Sequence, residues 1–299
     1  MHDPAQLMAL EAVLRLGAFD AAAGALNVTP SAISQRIRAL EDRVGAPLVL
    51  RTTPVTATET GRRLARHARD MALLDADLAR DLGHSATARL RIAVNADSLD
   101  TWAIPALAAT DFLFDVVVED ESVSHARLRD GDVMAAITAR ARPVQGCDSL
   151  ALGTMRYFAT CSPAFHARHF ANGVTVEALS QAPMLDFSGK DVLQRGWLAG
   201  LTGLAGHTGQ PGRRLGPPVH HLPSTHGFVT AAREGLGWAL NPLPLVQAHL
   251  DSGALLAMHP DRPHDVALHW QVRSLTAAAI RPLTQALRRH ARAALLPAP

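Results

Sequence analysis

Lysine is nearly missing from this chain of 299 residues: Lys190 is the only one, and arginine carries the rest of the positive side-chain charge. Cysteine is almost as scarce. Cys147 and Cys161 form no metal-type cluster and no disulfide framework. Long apolar runs are absent too. Trp102 to Val118 comes nearest, but Pro105, Asp111 and Asp115 interrupt it, so no membrane partner is expected. The opening Met1-His2-Asp3-Pro4 has neither the basic stretch nor the apolar core of a signal peptide. Together these absences point to a reducing cytoplasm.

Catalytic signatures are also lacking. There is no G-x-S-x-G, no P-loop and no G-x-G-x-x-G; Gly235-Leu236-Gly237 precedes a strand rather than opening a helix. The 15 histidines invite a metal reading, with His220, His221 and His226 the best candidates. Adjacent residues on a strand point to opposite faces, however, which works against a shared ion. No nucleophile–base pair supports an amino-acid hydrolase or transferase. The expectation is a protein without metal or cofactor that is not an enzyme. No solenoid-length repeat is visible.

What is present is a globular chain. Hydrophobic residues make up 48%, enough for cores, and the length favours two or more packed units. The net charge of +2 decides little. Eight arginines lie between Arg36 and Arg69, against Glu41, Asp42 and Glu59, yet residues 1–60 alone are slightly acidic. Placement of the arginines must therefore carry any argument for a polyanionic partner.

The first sixty residues read as three helices and a wing. Leu7, Leu10 and Leu14 share one face of a helix over 5–16, which Gly17 ends. A short alanine-rich helix follows from Phe19 to Leu26, then a tight turn at Asn27-Val28. Thr29 can cap a third helix, and Pro30 suits its first position. Ile33, Ile37, Leu40 and Val44 form its core face. Ser31, Ser34, Gln35 and Arg38 recur at helical spacing on another face, with Arg36 and Arg43 to the sides. An ordinary amphipathic helix would also show a solvated polar face. Here a short helix, a tight turn and a capped second helix form a helix-turn-helix, whose second helix enters the major groove of double-stranded DNA. Leu48 to Arg51 and Pro54 to Ala57 form the two arms of a wing, with Arg51 near its tip. The candidate DNA-binding residues are Thr29, Pro30, Ser31, Ser34, Gln35, Arg36, Arg38 and Arg51.

Thr58 starts a further helix that can run over 58–82. Leu64, Ala68, Met71, Leu74 and Leu78 make an apolar stripe along it. That stripe suits either packing against its own domain or a helix of a second copy. Gly83 to Thr87 reads as a hinge.

Residues 88–299 alternate strands and helices, which suggests a mostly parallel sheet. Strands are expected at 90–94, 115–119 (nearly all valine, as when both faces are buried), 133–138, 155–161, 184–187, 219–222, 237–240 and 266–272. One closing helix is expected over 276–296, and 200–218 reads as a long loop. Ligands of such sheets sit beyond the carboxyl ends of the strands. Those ends supply Asn95, Asp97, Ser98, Glu119, Asp120, Thr138, Asp186 and Thr225. Free N–H groups after Ser98 and near Thr225 can hold a carboxylate, and the acids can neutralise a cation. A basic amino acid fits that combination, although most exposed acids are merely solvated.

The pattern Phe19-x-x-Ala22-Ala23-x-x-Leu26-x-Val28-Thr29-x-Ser31-Ala32-Ile33-Ser34-x-x-Ile37-x-x-Leu40-Glu41, then Gly45-x-Pro47-Leu48-Val49-x-Arg51 and Thr58-x-x-Gly61, resembles the LysR-type transcriptional regulators. Pro30 stands where that family often has glutamine. Val94 to Ala108 and Val118 to Glu121 resemble the ArgP/LysG subgroup, whose effectors are lysine and arginine. Ser224-Thr225-His226-Gly227 departs from its usual Ser-Ser-Glu-Ala. The resemblance implies a winged helix-turn-helix over 1–60, a dimerising helix over 58–82 and an effector-binding domain over 88–299. That last domain would be two α/β subdomains joined by two crossovers, like a periplasmic binding protein. The implied partners are promoter DNA with an inverted repeat, a lysine or arginine effector, a second copy of the chain (or a dimer of dimers) and RNA polymerase. A LysR-type regulator with an unrelated effector, such as an aromatic acid, is the alternative.

Overall fold

A computed structural model describes residues 3–118, 121–189, 192–202 and 216–298. Helices α1 (Pro4–Leu16), α2 (Phe19–Ala25) and α3 (Pro30–Val44) pack on one another, followed by the wing strands β1 (Val49–Leu50) and β2 (Thr56–Ala57). Their boundaries have local causes. Asp3 caps α1, Thr29 accepts the Ala32 N–H at 3.2 Å to cap α3, and Gly45 ends α3 in the left-handed region at φ 75°. Leu7, Leu10, Ile33, Ile37 and Leu40 are fully buried together. Glu41 reaches from α3 to accept the Leu48 N–H at 2.8 Å, tying the recognition helix to the wing.

Helix α4 (Glu59–Asp81) leaves the wing with Thr58 as its cap. Its apolar stripe divides. Leu64, Ala68 and Met71 pack on the N-terminal core, whereas Leu74 and Leu78 are exposed. Polar side chains then fasten α4 to the C-terminal domain. Arg273 Nη1 meets the buried Asp70 at 2.6 Å, Arg66 and Arg69 donate to the carbonyls of Asp130 and Gly131, and Arg80 donates to that of Ala279. Among the described residues no helix is long and apolar enough to cross a membrane.

The C-terminal domain has two lobes. In the first, β3 (Arg89–Val94) is paired in parallel with β4 (Leu113–Val118) and with β5 (Ala135–Thr138). The long strand β6 (Cys147–Cys161) leads into the second lobe, built on β7 (Met184–Asp186), β8 (Val219–His221), β9 (Ala239–Pro242) and β10 (Leu256–Ala257). Strand β11 (His264–Arg273) brings the chain back between β6 and β5. Strands β6 and β11 are thus the two crossovers.

Four expectations need correction. The large sheet is mixed rather than mostly parallel, because a strand that returns to the first lobe must run against the one that left it; β9 and β10 also run antiparallel to β6. Strand β4 is half-buried rather than covered on both faces, because it is the sheet's edge. The closing helix is broken: a 3-10 turn at Ser274–Thr276 precedes a helix at Arg281–Ala294, with Pro282 in its first turn, where its missing N–H costs least. The expected loop over 200–218 starts later, since a helix occupies Leu193–Thr202; residues 203–215 lie outside the described ones.

The two cysteines stand at opposite ends of β6, roughly 45 Å apart at the rise of an extended strand, far beyond disulfide reach. Burial pushes the Cys161 thiol up to about 12.

Candidate DNA-binding surface and effector cleft

The first candidate surface is the outer face of α3. With Ile33, Ile37 and Leu40 turned inward, helical geometry turns Ser31, Gln35 and Arg38 outward, and all three are exposed. Ser34 and Arg36 are half-exposed beside them. Thr29 is exposed, and its hydroxyl lies 2.9 Å from that of Ser31 while capping the helix, so its first task is structural. Pro30 is exposed at the helix start. Arg51 follows β1, with its guanidinium 5.7 Å from the ring centre of Phe19 on α2, a cation–π arrangement that holds it at the edge of the helix-turn-helix. Such a surface offers planar hydrogen-bonding groups at its centre and cations at its margins, the layout needed for base edges flanked by phosphates.

The second candidate site lies between the lobes. Strands β3 and β5 are parallel neighbours, so Asn95, Asp97, Ser98 and Thr138 gather beyond one sheet end. In the second lobe, β7 and β8 are parallel neighbours, and the Leu222 N–H donates to the Asp186 carbonyl at 2.9 Å. Ser224 then caps the helix Thr225–Arg233, which places Asp186 and Thr225 at the same end of that lobe.

Asp97 is where the lobes meet. Thr225 Oγ1 donates to its Oδ1 at 2.9 Å, and the hydroxyl of the fully buried Tyr157 donates to its Oδ2 at 2.8 Å. Three distant segments therefore converge on one carboxylate. Ser98 is fully buried, and its hydroxyl has no hydrogen-bond partner among the described residues. Thr138 is buried and accepts the Arg140 N–H at 3.2 Å. Asp186 is buried and meets Arg195 Nη2 at 2.7 Å. The exposed His226 lies 3.7 Å from Asp100, close enough to pair when protonated. Glu119 and Asp120 lie outside the described residues.

Tyr157 and Arg195 were not anticipated from the sequence. Tyr157 had a signal: it is the single tyrosine of the chain, and a tyrosine within a strand carries a polar tip that needs a partner when buried. Arg195 had none, because its pairing with Asp186 depends on how a helix folds back over β7.

One end of this molecule is shaped for a duplex and the other encloses a polar cleft, which is the organisation of a ligand-responsive DNA-binding regulator. Residues 4–62 match the family model described as a bacterial regulatory helix-turn-helix protein of the lysR family, and residues 83–292 match the LysR substrate-binding domain. The chain belongs to the LysR family of transcriptional regulators. It is 44% identical over 279 residues to the HTH-type transcriptional regulator ArgP of Pseudomonas fluorescens, covering 90% of each chain. With the HTH-type transcriptional regulator LysG of Mycobacterium tuberculosis it shares 40% over 290 residues, covering 96% of this chain and 92% of the relative. Among solved structures, ArgP from Mycobacterium tuberculosis superposes with a TM-score of 0.82 at 39% identity, covering 100% of both chains. Full-length LysG from Corynebacterium glutamicum with bound effector Arg gives 0.70 at 37%, covering 99% of this chain and 100% of that one.

Proposed function

We propose that this protein is a cytoplasmic, non-enzymatic regulator that binds promoter DNA as a homodimer and takes lysine or arginine in the cleft between its lobes. The observation that carries the effector reading is the convergence on Asp97. A carboxylate held by both lobes beside the unpartnered Ser98 hydroxyl suits an amino-acid head group, and the buried Asp186 suits a cationic end. Asn95 and Thr138 complete the first-lobe wall, with Glu119 and Asp120 following β4 in sequence. The arginine bound to Corynebacterium glutamicum LysG supports the same reading. Titration calorimetry of the full chain against the standard amino acids tests it. Binding of arginine or lysine alone is the expected result. No heat from either at millimolar concentration removes this effector and leaves the regulator. A different effector is favoured by two features: Arg195 already occupies Asp186, and His226 stands where the subgroup carries an acid.

For the DNA-binding surface, Gln35→Ala and Arg38→Ala are each expected to cost about 1–3 kcal/mol of specific affinity, the value of a base contact. Arg36→Ala should weaken specific and nonspecific DNA alike and flatten the salt dependence. Gel shifts on operator and scrambled duplexes across a salt series check both, and unchanged affinity in all three variants would remove α3 from the groove. Thr29, Pro30, Ser31 and Ser34 complete this face, with Arg51 beside it.

Dimerisation falls to the exposed part of the α4 stripe. Leu64, Ala68 and Met71 anchor the helix to its own domain, and Leu74 and Leu78 project from it to meet a second copy. Leu78→Asp places a charge in that seam and should yield monomers in sedimentation. A variant that sediments as the wild type does would assign the interface to another surface. A dimer of dimers and contact with RNA polymerase belong to the same reading.

A further inference from the structure

A second cavity, of about 240 Å³, lies where the DNA-binding domain, the linker helix and the first lobe meet. Its walls come mainly from α1, α4, β3 and β4, with Leu26 after α2 and Thr87 and Ala88 before β3. Met8, Leu26 and Leu73 give it an apolar side. Arg15, Arg69, Arg89 and Arg91 bring four guanidinium groups to it, against the two carboxylates Glu11 and Asp115.

Those carboxylates are already engaged. Arg15 meets Glu11 at 3.2 Å, and Arg91 meets Asp115 at 3.0 Å. Arg69 donates to the Gly131 carbonyl at 3.0 Å, but among the described residues neither it nor Arg89 has a carboxylate within ion-pair distance. The buried Nε of Arg91 also has no hydrogen-bond partner among the described residues. Burial pushes the Arg69 guanidinium down from its usual range; Glu11, Asp132 and Asp70 oppose the effect and Arg91 adds to it. Arg69 is half-buried and Arg89 exposed at the rim, and guanidinium N–H groups that no carboxylate meets at ion-pair distance among the described residues favour an anion. The apolar side favours a ligand with a hydrocarbon body. Size agrees: an apolar cavity of roughly 150 Å³ holds a benzene, so this one takes a ring bearing one carboxylate.

We propose that this junction cavity is a second ligand site, taking a small monocarboxylate with an apolar body. The carboxylate sits among Arg69, Arg89 and the Nε edge of Arg91, and the body lies against Met8, Leu26 and Leu73. Such a ligand touches the DNA-binding domain, the linker helix and the first lobe at once. It holds the DNA-binding domain against its own effector domain, giving the regulator an input independent of the cleft around Asp97.

Thermal melting of the full chain with benzoate, benzamide and acetate tests this. Benzoate should raise the melting temperature with concentration. Benzamide, which lacks the charge, and acetate, which lacks the ring, should each need at least about tenfold more for the same shift. Arg69→Gln and Ala72→Phe should each abolish the response. The second variant keeps every arginine and fills the space from a lining position on α4, so it stands if the first fails to fold. No benzoate response in the wild type, a response equal for benzamide, or one that survives the filled cavity would overturn the proposal.

Discussion

Gly61→Ala is expected to destabilise the DNA-binding domain strongly while leaving the effector domain unaffected. Gly61 is buried in the first turn of α4, and a Cβ there would lie 1.9 Å from the Leu48 carbonyl oxygen and 2.9 Å from its carbon. Leu48 has no room to retreat. Its side chain is fully buried in the N-terminal core, and its N–H is held by Glu41. Its carbonyl accepts both the N–H and the hydroxyl of Thr58, the residue that caps α4. Relieving the clash means giving up the cap, the wing attachment or the core packing. The expected loss is about 3 kcal/mol, the upper part of the range for overpacking a filled core. Gly24→Ala is the matching control: its Cβ meets nothing within 4 Å, and alanine is the better helix former. Thermal melts of both variants, with operator binding as the second readout, make the check. A Gly61→Ala protein that melts and binds as the wild type does would mean that the close approach of α4 to the wing is not needed.

Asp97→Ala should remove the effector response. The substitution deletes the carboxylate on which Thr225 and Tyr157 converge, so the link between the lobes and the charge facing the ligand are lost together. It also leaves the hydroxyls of two buried residues without their acceptor, at about 1–3 kcal/mol each. Arginine or lysine affinity should fall by at least about a hundredfold, which corresponds to about 3 kcal/mol. Thr225→Val, which cuts only the link across the cleft, should have a smaller effect. Effector-free affinity for DNA should not change, because Asp97 is far from α3 in both sequence and fold. Calorimetry and gel shifts on the same preparations separate the two, and retained arginine affinity in Asp97→Ala would move the effector away from this carboxylate.

Why some of this was readable from sequence follows from where the causes lie. The N-terminal domain is written in local signals: Thr29-Pro30 opens α3, Gly45 closes it, and the spacing of Ile33, Ile37 and Leu40 gives its buried face. Some strand ends of the C-terminal domain were equally plain, because apolar runs stop abruptly at Asn95 and Thr138; Asp186 was placed only near an end, since Phe187 prolongs the run. Strand β6 was less so. Its first half, Cys147 to Leu152, mixes polar and apolar residues and is extended only because β11 pairs with it along nearly its whole length. The helix Pro163–His169 opens on Ser162-Pro163, a capped start as local as Thr29-Pro30, whereas Leu193–Thr202 hides behind Gly196 and Gly200. Site partners such as Tyr157 and Arg195 are contacts between distant segments, and no window along the chain contains them.

The return strand gives the molecule a lever. Strand β11 begins beside Tyr157, next to the residue that grips Asp97, and ends at Arg273, which grips Asp70 of the linker helix. Ten residues of extended chain join the two points, roughly 30 Å of backbone paired with β6 throughout and with β5 from His269 to Val272. A ribbon held in that way couples its two ends. Any rotation of one lobe about the other would therefore reach the base of the DNA-binding domain, with the Arg273–Asp70 contact as its point of application.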